Sequence, residues 1–112
     1  MWPVNSTEEY LAWFASLPLE AQEAITAKVV LLRTFGPDLG RPHADTLKGS
    51  SSAKLKELRA KTAANVLRVA FFFDEEREAI LLVGGDKKGK NERSFYKRLI
   101  ADAEALIRKY RL

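Results

Sequence analysis

Val66-Leu67-Arg68-Val69-Ala70-Phe71-Phe72-Phe73-Asp74, in the second half of the 112-residue chain, decides the fold. β-Branched and aromatic residues dominate this run, which predicts a strand. Alternation with period two places four apolar side chains on one face: Leu67, Val69, Phe71 and Phe73. Arg68 and Phe72 point the other way. A charge inside an apolar strand is costly unless it faces solvent or a partner, so Arg68 is the first candidate for a functional residue.

Two further strand-like runs flank this one. Residues 55–61 are polar and basic, with Leu58 as the main inward candidate, and residues 62–65 form a turn into the central run. Residues 79–83 follow a charged turn, and Gly84-Gly85 is predicted to end this third strand. Consecutive strands joined by short turns favour an antiparallel meander, one face of which helices can cover.

Helices are predicted at both ends of the chain. Ser6 as N-cap and Glu9 three residues later fit a capping box, which opens a short helix that Pro18 stops. Apolar residues at three- and four-residue spacing predict a second helix over 19–35. A third helix is predicted over 92–110, with an apolar stripe of Phe95, Leu99, Ala103, Leu106 and Tyr110.

The order of elements predicts an α+β class. We expect a small antiparallel sheet of three to four strands, two N-terminal helices and a C-terminal helix, in one domain over 1–112. The fourth strand would be a short one at residues 1–5. Residues 36–53 are rich in Gly, Pro and Ser without periodicity, and are predicted to be a long loop.

Charge is distributed unevenly along the chain. Residues 1–47 carry three basic and six acidic side chains, a net of −3, whereas residues 48–112 carry sixteen and nine, a net of +7. This asymmetry fits a basic face that meets a polyanion. It fits equally well a C-terminal amphipathic helix with a solvated Lys/Arg face.

Composition removes several classes of chemistry. The absence of cysteine excludes disulfides, thiol nucleophiles and cysteine-based metal sites. A single histidine, His43, excludes a histidine pair for zinc; His43 itself lies in the predicted loop, and we interpret it as a surface residue. No metal or cofactor is predicted. A signal peptide and a membrane span are also not predicted, so we expect a cytoplasmic protein.

Basic side chains are what remains as candidate chemistry. Arg59 lies on the strand next to that of Arg68, and Lys87 lies just after the third strand, so these groups could converge at one end of the sheet. Arg68 could instead only form an ion pair with Glu57 on the neighbouring strand. Tyr96 falls on the apolar stripe of the last helix, where it could pack or contact a nucleotide.

An ordered set of motifs is similar to one family. The motifs are Trp13-Phe14-Ala15-Ser16-Leu17-Pro18, Leu39-Gly40-Arg41-Pro42, Asp45-Thr46-Leu47-Lys48-Gly49-Ser50, Leu55-Lys56-Glu57-Leu58-Arg59, Leu67–Asp74, Gly84-Gly85-Asp86-Lys87 and Arg93-Ser94-Phe95-Tyr96. Together they resemble the phage-derived HigB-like toxins of type II toxin–antitoxin modules, in the RelE/ParE superfamily. The resemblance extends from Trp2 to Tyr110.

That resemblance implies a RelE-like fold and ribosome-dependent cleavage of messenger RNA in the ribosomal A site. It also implies a HigA-like antitoxin partner with a helix-turn-helix domain. The matching positions make Arg68 and Lys87 the expected phosphate-binding and transition-state groups, with Arg59 in support and Tyr96 on the nucleotide. Some members carry a histidine near the C-terminus that this chain lacks, so the general acid and base stay unassigned.

Seven further cations of the basic half are candidates for contact with RNA or the ribosome: Lys54, Lys56, Lys61, Lys88, Lys90, Arg93 and Lys97. Two other functions remain open. A ParE-like toxin would inhibit DNA gyrase by protein binding and would not need the cluster of Arg59, Arg68 and Lys87. A non-catalytic nucleic-acid-binding relative would bind RNA in a salt-sensitive manner without cutting it.

Overall fold

The sheet has five strands among residues 1–51 and 54–112, which the computed structural model describes. The strands are β1 Val4–Ser6, β2 Ala44–Thr46, β3 Lys56–Lys61, β4 Val66–Phe73 and β5 Ala79–Asp86, in the spatial order β1-β5-β4-β3-β2. β3, β4 and β5 form the predicted antiparallel meander. β1 pairs in parallel with β5, so the sheet is mixed. The α+β class is confirmed, and the predicted count of three to four strands is corrected to five.

The segment predicted as a long loop is partly ordered by backbone pairing. A 3₁₀ turn covers Gly36–Asp38, and β2 pairs antiparallel with β3 at the edge of the sheet. A strand of three residues is too short to show alternation, which is why the sequence pattern missed it. Ser52 and Ala53, in the same predicted loop, lie outside the described residues.

β5 continues through the two glycines that were predicted to end it. A Cβ atom on Gly84 would lie 2.3 Å from the ring of Trp13, and one on Gly85 would lie 2.9 Å from the ring of Phe95. The glycines therefore let one aromatic ring approach each face of the strand. They allow close packing here and do not end the strand.

Three helices accompany the sheet in the described chain: α1 Glu8–Ala15, α2 Leu19–Phe35 and α3 Glu92–Tyr110. The bounds of α2 and α3 agree with the prediction. The N-cap of α1 is Thr7 and not Ser6, which belongs to β1. The Thr7 hydroxyl accepts the Tyr10 N–H at 3.0 Å and donates to the Leu82 carbonyl at 2.6 Å, so one side chain caps the helix and fixes it to β5.

Helices cover both faces of the sheet, not one. α1 and α2 pack on the face that carries Leu58, Val69 and Phe71, the residues predicted to point inward. α3 packs on the opposite face through four buried residues of its predicted stripe: Phe95, Leu99, Ala103 and Leu106. Tyr110, predicted to belong to that stripe, is exposed. No helix in the described chain is long and apolar enough to cross a membrane.

Asp86 fixes the end of the β3–β4 hairpin to the end of β5. Its carboxylate accepts hydrogen bonds from the Asn65 side chain at 2.7 Å and from the backbone N–H groups of Val66 and Lys88, both at 3.0 Å. Burial acts to raise the pKa of Asp86, but these hydrogen bonds outweigh it and the pKa is lowered. The ionised carboxylate therefore contributes to the stability of the fold.

The contact between Gly84 and Trp13 predicts a large cost for a single methyl group. Gly84→Ala should lower the free energy of unfolding by about 2 to 3 kcal/mol, because the indole must be displaced. Gly40→Ala is the matched control, since no heavy atom lies within 4 Å of the added Cβ, and should change stability by less than about 0.5 kcal/mol. Urea denaturation compares the two, and an equal effect would contradict the steric explanation.

The role of Asp86 predicts a pH-dependent difference between the wild type and Asp86→Asn. At pH 7 the variant should be less stable by about 2 kcal/mol, because it loses hydrogen bonds to a charged acceptor. The folded-state pKa lies below the unfolded value of about 3.9, so the contribution is complete above that pH and is lost as pH falls through the folded-state pKa. Urea titrations from pH 7 to pH 2 should show the difference narrowing at the acid end. A constant difference would argue against the carboxylate charge as its source.

Candidate active site

A cleft of about 500 Å³ opens on the α3 side of the sheet, where α3 leaves the ends of β3 and β4 uncovered. Its ten lining residues are Asp45, Thr46, Leu47, Lys48, Glu57, Arg59, Arg68, Lys87, Glu92 and Tyr96. All four residues that the sequence singled out for catalysis are among them. They come from four places in the chain, namely β3, β4, the residue after β5 and the first turns of α3.

Strand register brings the two arginines together. Arg59 on β3 and Arg68 on β4 are direct antiparallel partners. Because side chains alternate along a strand, both lie on the face opposite the buried Leu58 and Val69. Like charges directly opposite each other destabilise a sheet, so this pair requires a compensating group.

Glu57 is that group. It is 2% exposed, and its Oε2 accepts hydrogen bonds from Arg59 Nε at 3.1 Å and Nη2 at 3.0 Å. Its other oxygen, Oε1, lies 3.4 Å from Arg68 Nε and accepts the Tyr96 hydroxyl at 2.8 Å. One buried carboxylate thus holds both arginines and the tyrosine. The ion pair of Arg68 with Glu57, one of the two interpretations offered by the sequence, is confirmed.

The Tyr96 hydroxyl completes the arrangement from the helix side. It accepts a hydrogen bond from Arg68 Nε at 3.0 Å while donating to Glu57. Burial and the contact with Glu57 raise its pKa, against the opposing effect of Arg68. The hydroxyl therefore stays protonated near neutral pH. The ring packs edge-on against Phe95, with 5.3 Å between the ring centroids, so Tyr96 both packs and presents its hydroxyl to the cleft.

Lys87 lies at the rim of the cleft. Its ammonium is 5.4 Å from the centroid of the Tyr96 ring and 2.6 Å from Glu92 Oε1. That hydrogen bond and the charge of Lys87 lower the pKa of Glu92, which keeps the carboxylate ionised. Because Glu92 is exposed, an incoming anion can displace it from Lys87 at little cost.

The cleft is closer to electrical balance than the composition suggested. Its cations are Lys48, Arg59, Arg68 and Lys87, and its carboxylates are Asp45, Glu57 and Glu92. Asp45 lies 3.4 Å from Arg59 Nη2 and 3.6 Å from Arg41 Nε. The backbone N–H of Thr46 lowers the pKa of Asp45, aided by these cations. A bound phosphate would therefore compete with carboxylates for each cation except Lys48, which forms no ion pair in the described chain.

The family described as phage derived protein Gp49-like (DUF891) matches residues 12–108. The chain belongs to this family. The match includes every lining residue of the cleft, and it confirms the resemblance that the ordered motifs indicated.

Relatives of this Gp49-like chain agree with that placement. A Mycobacterium tuberculosis protein described as the candidate toxin HigB3 is 43% identical over 81 residues, which are 72% of this chain and 69% of that protein. The candidate toxin HigB2 of the same organism is 38% identical over 84 residues, which are 74% of this chain and 42% of that protein. The chain therefore spans less than half the length of HigB2. This chain is therefore of the HigB toxin type.

The fold has counterparts among solved structures. A double mutant of the E. coli toxin RelE in the free state matches with a TM-score of 0.59 and 15% identity, over 89% of this chain and 94% of that one. The isolated E. coli RelE toxin matches with a TM-score of 0.55 and 13% identity, over 88% and 97%. The expected RelE-like fold is confirmed.

None of the seven cations proposed to contact RNA or the ribosome lines the cleft. Lys56 lies on the α1–α2 face by strand alternation, and Lys88 Nζ donates to the Ala63 carbonyl at 2.8 Å. Lys61 lies at the exposed end of β3. The other four are exposed beside β3 or around the start of α3: Lys54, Lys90, Arg93 and Lys97. Their role in contact with RNA or the ribosome remains a prediction.

Sequence reasoning missed how central Glu57 is. It is one of only two buried polar or charged residues of the described chain, with Thr7. A signal was present, because Glu57 and Arg59 alternate with the inward Leu58 and therefore share the face of Arg68. Glu92 and Lys48 carried no such signal. His43 is half-buried and bonded to Lys28, which corrects its interpretation as a loop surface residue.

The position of Glu57 predicts that it stabilises the fold more than any other carboxylate of the cleft. Glu57→Gln should lower the free energy of unfolding by about 3 kcal/mol, because the arginines lose the charge that compensates them. Glu92→Gln, which alters an exposed ion pair, should cost less than about 1 kcal/mol. Tyr96→Phe removes the hydrogen bonds of the hydroxyl with Arg68 and Glu57 and should cost about 1 to 2 kcal/mol. Denaturant unfolding measures all three, and similar values for Glu57 and Glu92 would contradict a central role for Glu57.

Proposed function

We propose that the protein is a ribosome-dependent endoribonuclease that cleaves messenger RNA in the ribosomal A site. The observation that carries the proposal is the convergence of Arg59, Arg68, Lys87 and Tyr96 in one open cleft. The family match and the similarity to proteins described as HigB toxins support it.

The reaction asks little more of a protein than positive charge and positioning. The 2′-hydroxyl loses its proton as its oxygen attacks the adjacent phosphorus, and the bond from phosphorus to the 5′-oxygen breaks. The departing 5′-oxygen takes up a proton, so the products are a 2′,3′-cyclic phosphate and a 5′-hydroxyl end. Negative charge grows on the non-bridging oxygens in the transition state. Fixed donors aimed at that charge stabilise it more than mobile water does, and holding the sugar in line lowers the barrier further.

Arg68 is the best placed donor. Its Nε is held by Tyr96 and Glu57, and its Nη1 donates to the Leu67 carbonyl at 2.9 Å. Nη2 has no partner in the described part of the chain, which leaves it available to a phosphate oxygen. Arg68 is therefore oriented before substrate arrives. Lys87 would approach the same phosphate from the rim once Glu92 is displaced.

Tyr96 acts in this proposal as a donor and not as a base. Its raised pKa keeps the hydroxyl protonated, and the ring offers a surface on which a nucleobase of the RNA can stack. When RNA binds, the hydroxyl can donate its hydrogen bond to a nucleotide oxygen instead of to Glu57. Arg59 supports the site through Glu57, and its own pKa is raised because the contacts with Glu57 outweigh burial, so it stays charged.

A toxin that cuts messenger RNA must be held inactive in the cell that makes it. We propose a HigA-like antitoxin with a helix-turn-helix domain as the partner of this chain. The support is the type of toxin to which the chain belongs. No membrane partner enters the proposal.

Induced expression in bacteria tests the function, with the wild type beside Arg68→Ala and with 5′-end mapping of total RNA. Wild-type protein should arrest growth and produce new RNA ends within translated regions. Arg68→Ala should slow cleavage on purified, programmed ribosomes by about 100- to 1000-fold, which is the usual effect of losing one transition-state donor. Arg33→Ala, an exposed change on α2, should leave arrest and cleavage unchanged.

Other outcomes discriminate the alternatives. Growth arrest without new RNA ends would point to gyrase inhibition of the ParE kind, and arrest that persists in Arg68→Ala would strengthen that conclusion. Salt-sensitive RNA binding without arrest or cleavage would indicate a non-catalytic relative. Co-expression of a candidate HigA-like protein with a helix-turn-helix domain should restore growth if that protein is the antitoxin.

A further inference from the structure

A second, smaller groove of about 350 Å³ adjoins the cleft beside the end of β3. Four of its seven lining residues are cations, Lys28, Arg59, Lys61 and Arg68, and the others are Pro42, Ala60 and Val66. Arg59 and Arg68 line both the cleft and the groove. The arginine pair is therefore part of the wall of both depressions.

The groove differs from the cleft in its charge. Three carboxylates line the cleft, whereas none lines the groove. Glu57 and Asp45 already compensate the two shared arginines. Lys28 and Lys61 form no ion pair in the described part of the chain, so they supply the uncompensated charge of this region.

Lys28 is held in place without being neutralised. Its ammonium can only donate, so the contact with His43 Nδ1 at 2.8 Å makes that nitrogen the acceptor and places the imidazole proton on Nε2. A neutral imidazole orients the ammonium and leaves its charge intact. The loop that carries His43 is fixed in turn, since the His43 carbonyl accepts the Arg59 N–H at 2.9 Å.

We propose that this groove binds a second phosphate of the RNA chain, next to the phosphate that reacts in the cleft. The inference rests on the proposed function for the identity of the polyanion. Lys28 and Lys61 would be its ligands, and the arginine pair would lie between the two phosphates. The RNA strand would thereby be held on both sides of Arg68 before it reacts. Binding at both phosphates would hold the ribose between them in line for attack by its 2′-hydroxyl.

Oligonucleotide length separates the two sites. The probes are 2′-O-methyl RNAs, which cannot be cleaved, of two and of four nucleotides without terminal phosphates. The shorter one carries a single phosphate for the cleft, and the longer one adds phosphates for the groove. Binding is measured by NMR titration of the wild type, Lys28→Gln/Lys61→Gln, Lys61→Gln alone, and the control Arg33→Gln.

We expect the wild type and Arg33→Gln to bind the longer probe about tenfold more tightly, equivalent to about 1.4 kcal/mol. The double variant should lose most of this gain yet bind the dinucleotide as the wild type does. The slope of log affinity against log salt for the longer probe should fall by about 0.7 for each phosphate that is no longer neutralised by a lysine. Lys61→Gln alters only an exposed side chain, so an intermediate loss in that variant would exclude misfolding as the cause.

The result is independent of the cleavage test. The proposed phosphate site in the groove would be contradicted if the double variant still bound the longer probe more tightly by the full factor. It would also be contradicted if the wild type bound both probes equally, even if Arg68→Ala abolished cleavage. If the double variant loses the tighter binding of the longer probe and the wild type cleaves no RNA, the groove stays supported as an RNA-binding site. The proposal that the protein is a nuclease would then be rejected.

Discussion

The structure of the cleft depends on one buried carboxylate. Register forces Arg59 and Arg68 to face each other across β3 and β4, and two guanidinium groups in that position repel. Glu57 lies on the same face, accepts hydrogen bonds from Arg59 and lies in salt-bridge range of Arg68. The Tyr96 hydroxyl donates a hydrogen bond to the same carboxylate. Glu57 therefore both contacts α3 and compensates the positive charge of the two arginines. Glu57 therefore fixes both arginines on the same face of the sheet.

Elements with a long periodic pattern were predictable from the sequence. The bounds of α2 and α3 agree with their apolar spacing, and the alternation of β4 correctly assigned its two faces. β2 and the C-terminal part of β5 were not predictable. β2 has three residues, and β5 contains Gly84-Gly85, whose usual meaning is a strand end. Only the positions of the Trp13 and Phe95 rings explain those glycines, and no local pattern contains that information.

Three of the four cations of the cleft were predictable from the sequence, whereas among its carboxylates only the pairing of Glu57 with Arg68 was. Alternation placed Arg59 and Arg68 on one face, and the Gly-Gly-Asp-Lys motif placed Lys87 at the end of β5. Glu92 and Lys28 come from α3 and α2, and their contribution depends on how the helices dock. The basic half of the chain suggested a strongly positive surface, yet the cleft pairs most of its cations with carboxylates. A phosphate that binds in the cleft must consequently compete with carboxylates that already pair with these cations.

The parallel pairing of β1 with β5 has a consequence for the order of folding. Val4 and Ala79 are partners although 75 positions separate them, and Glu9 bonds to Lys109 and Tyr110 near the end of the chain. Contacts of such large sequence separation form late and slowly, since the loop between them must be closed first. β1 therefore cannot pair until β5 has been synthesised. A nascent chain cannot hold Tyr96 against Glu57 until α3 has been synthesised and has docked, which delays any activity of this cleft until then.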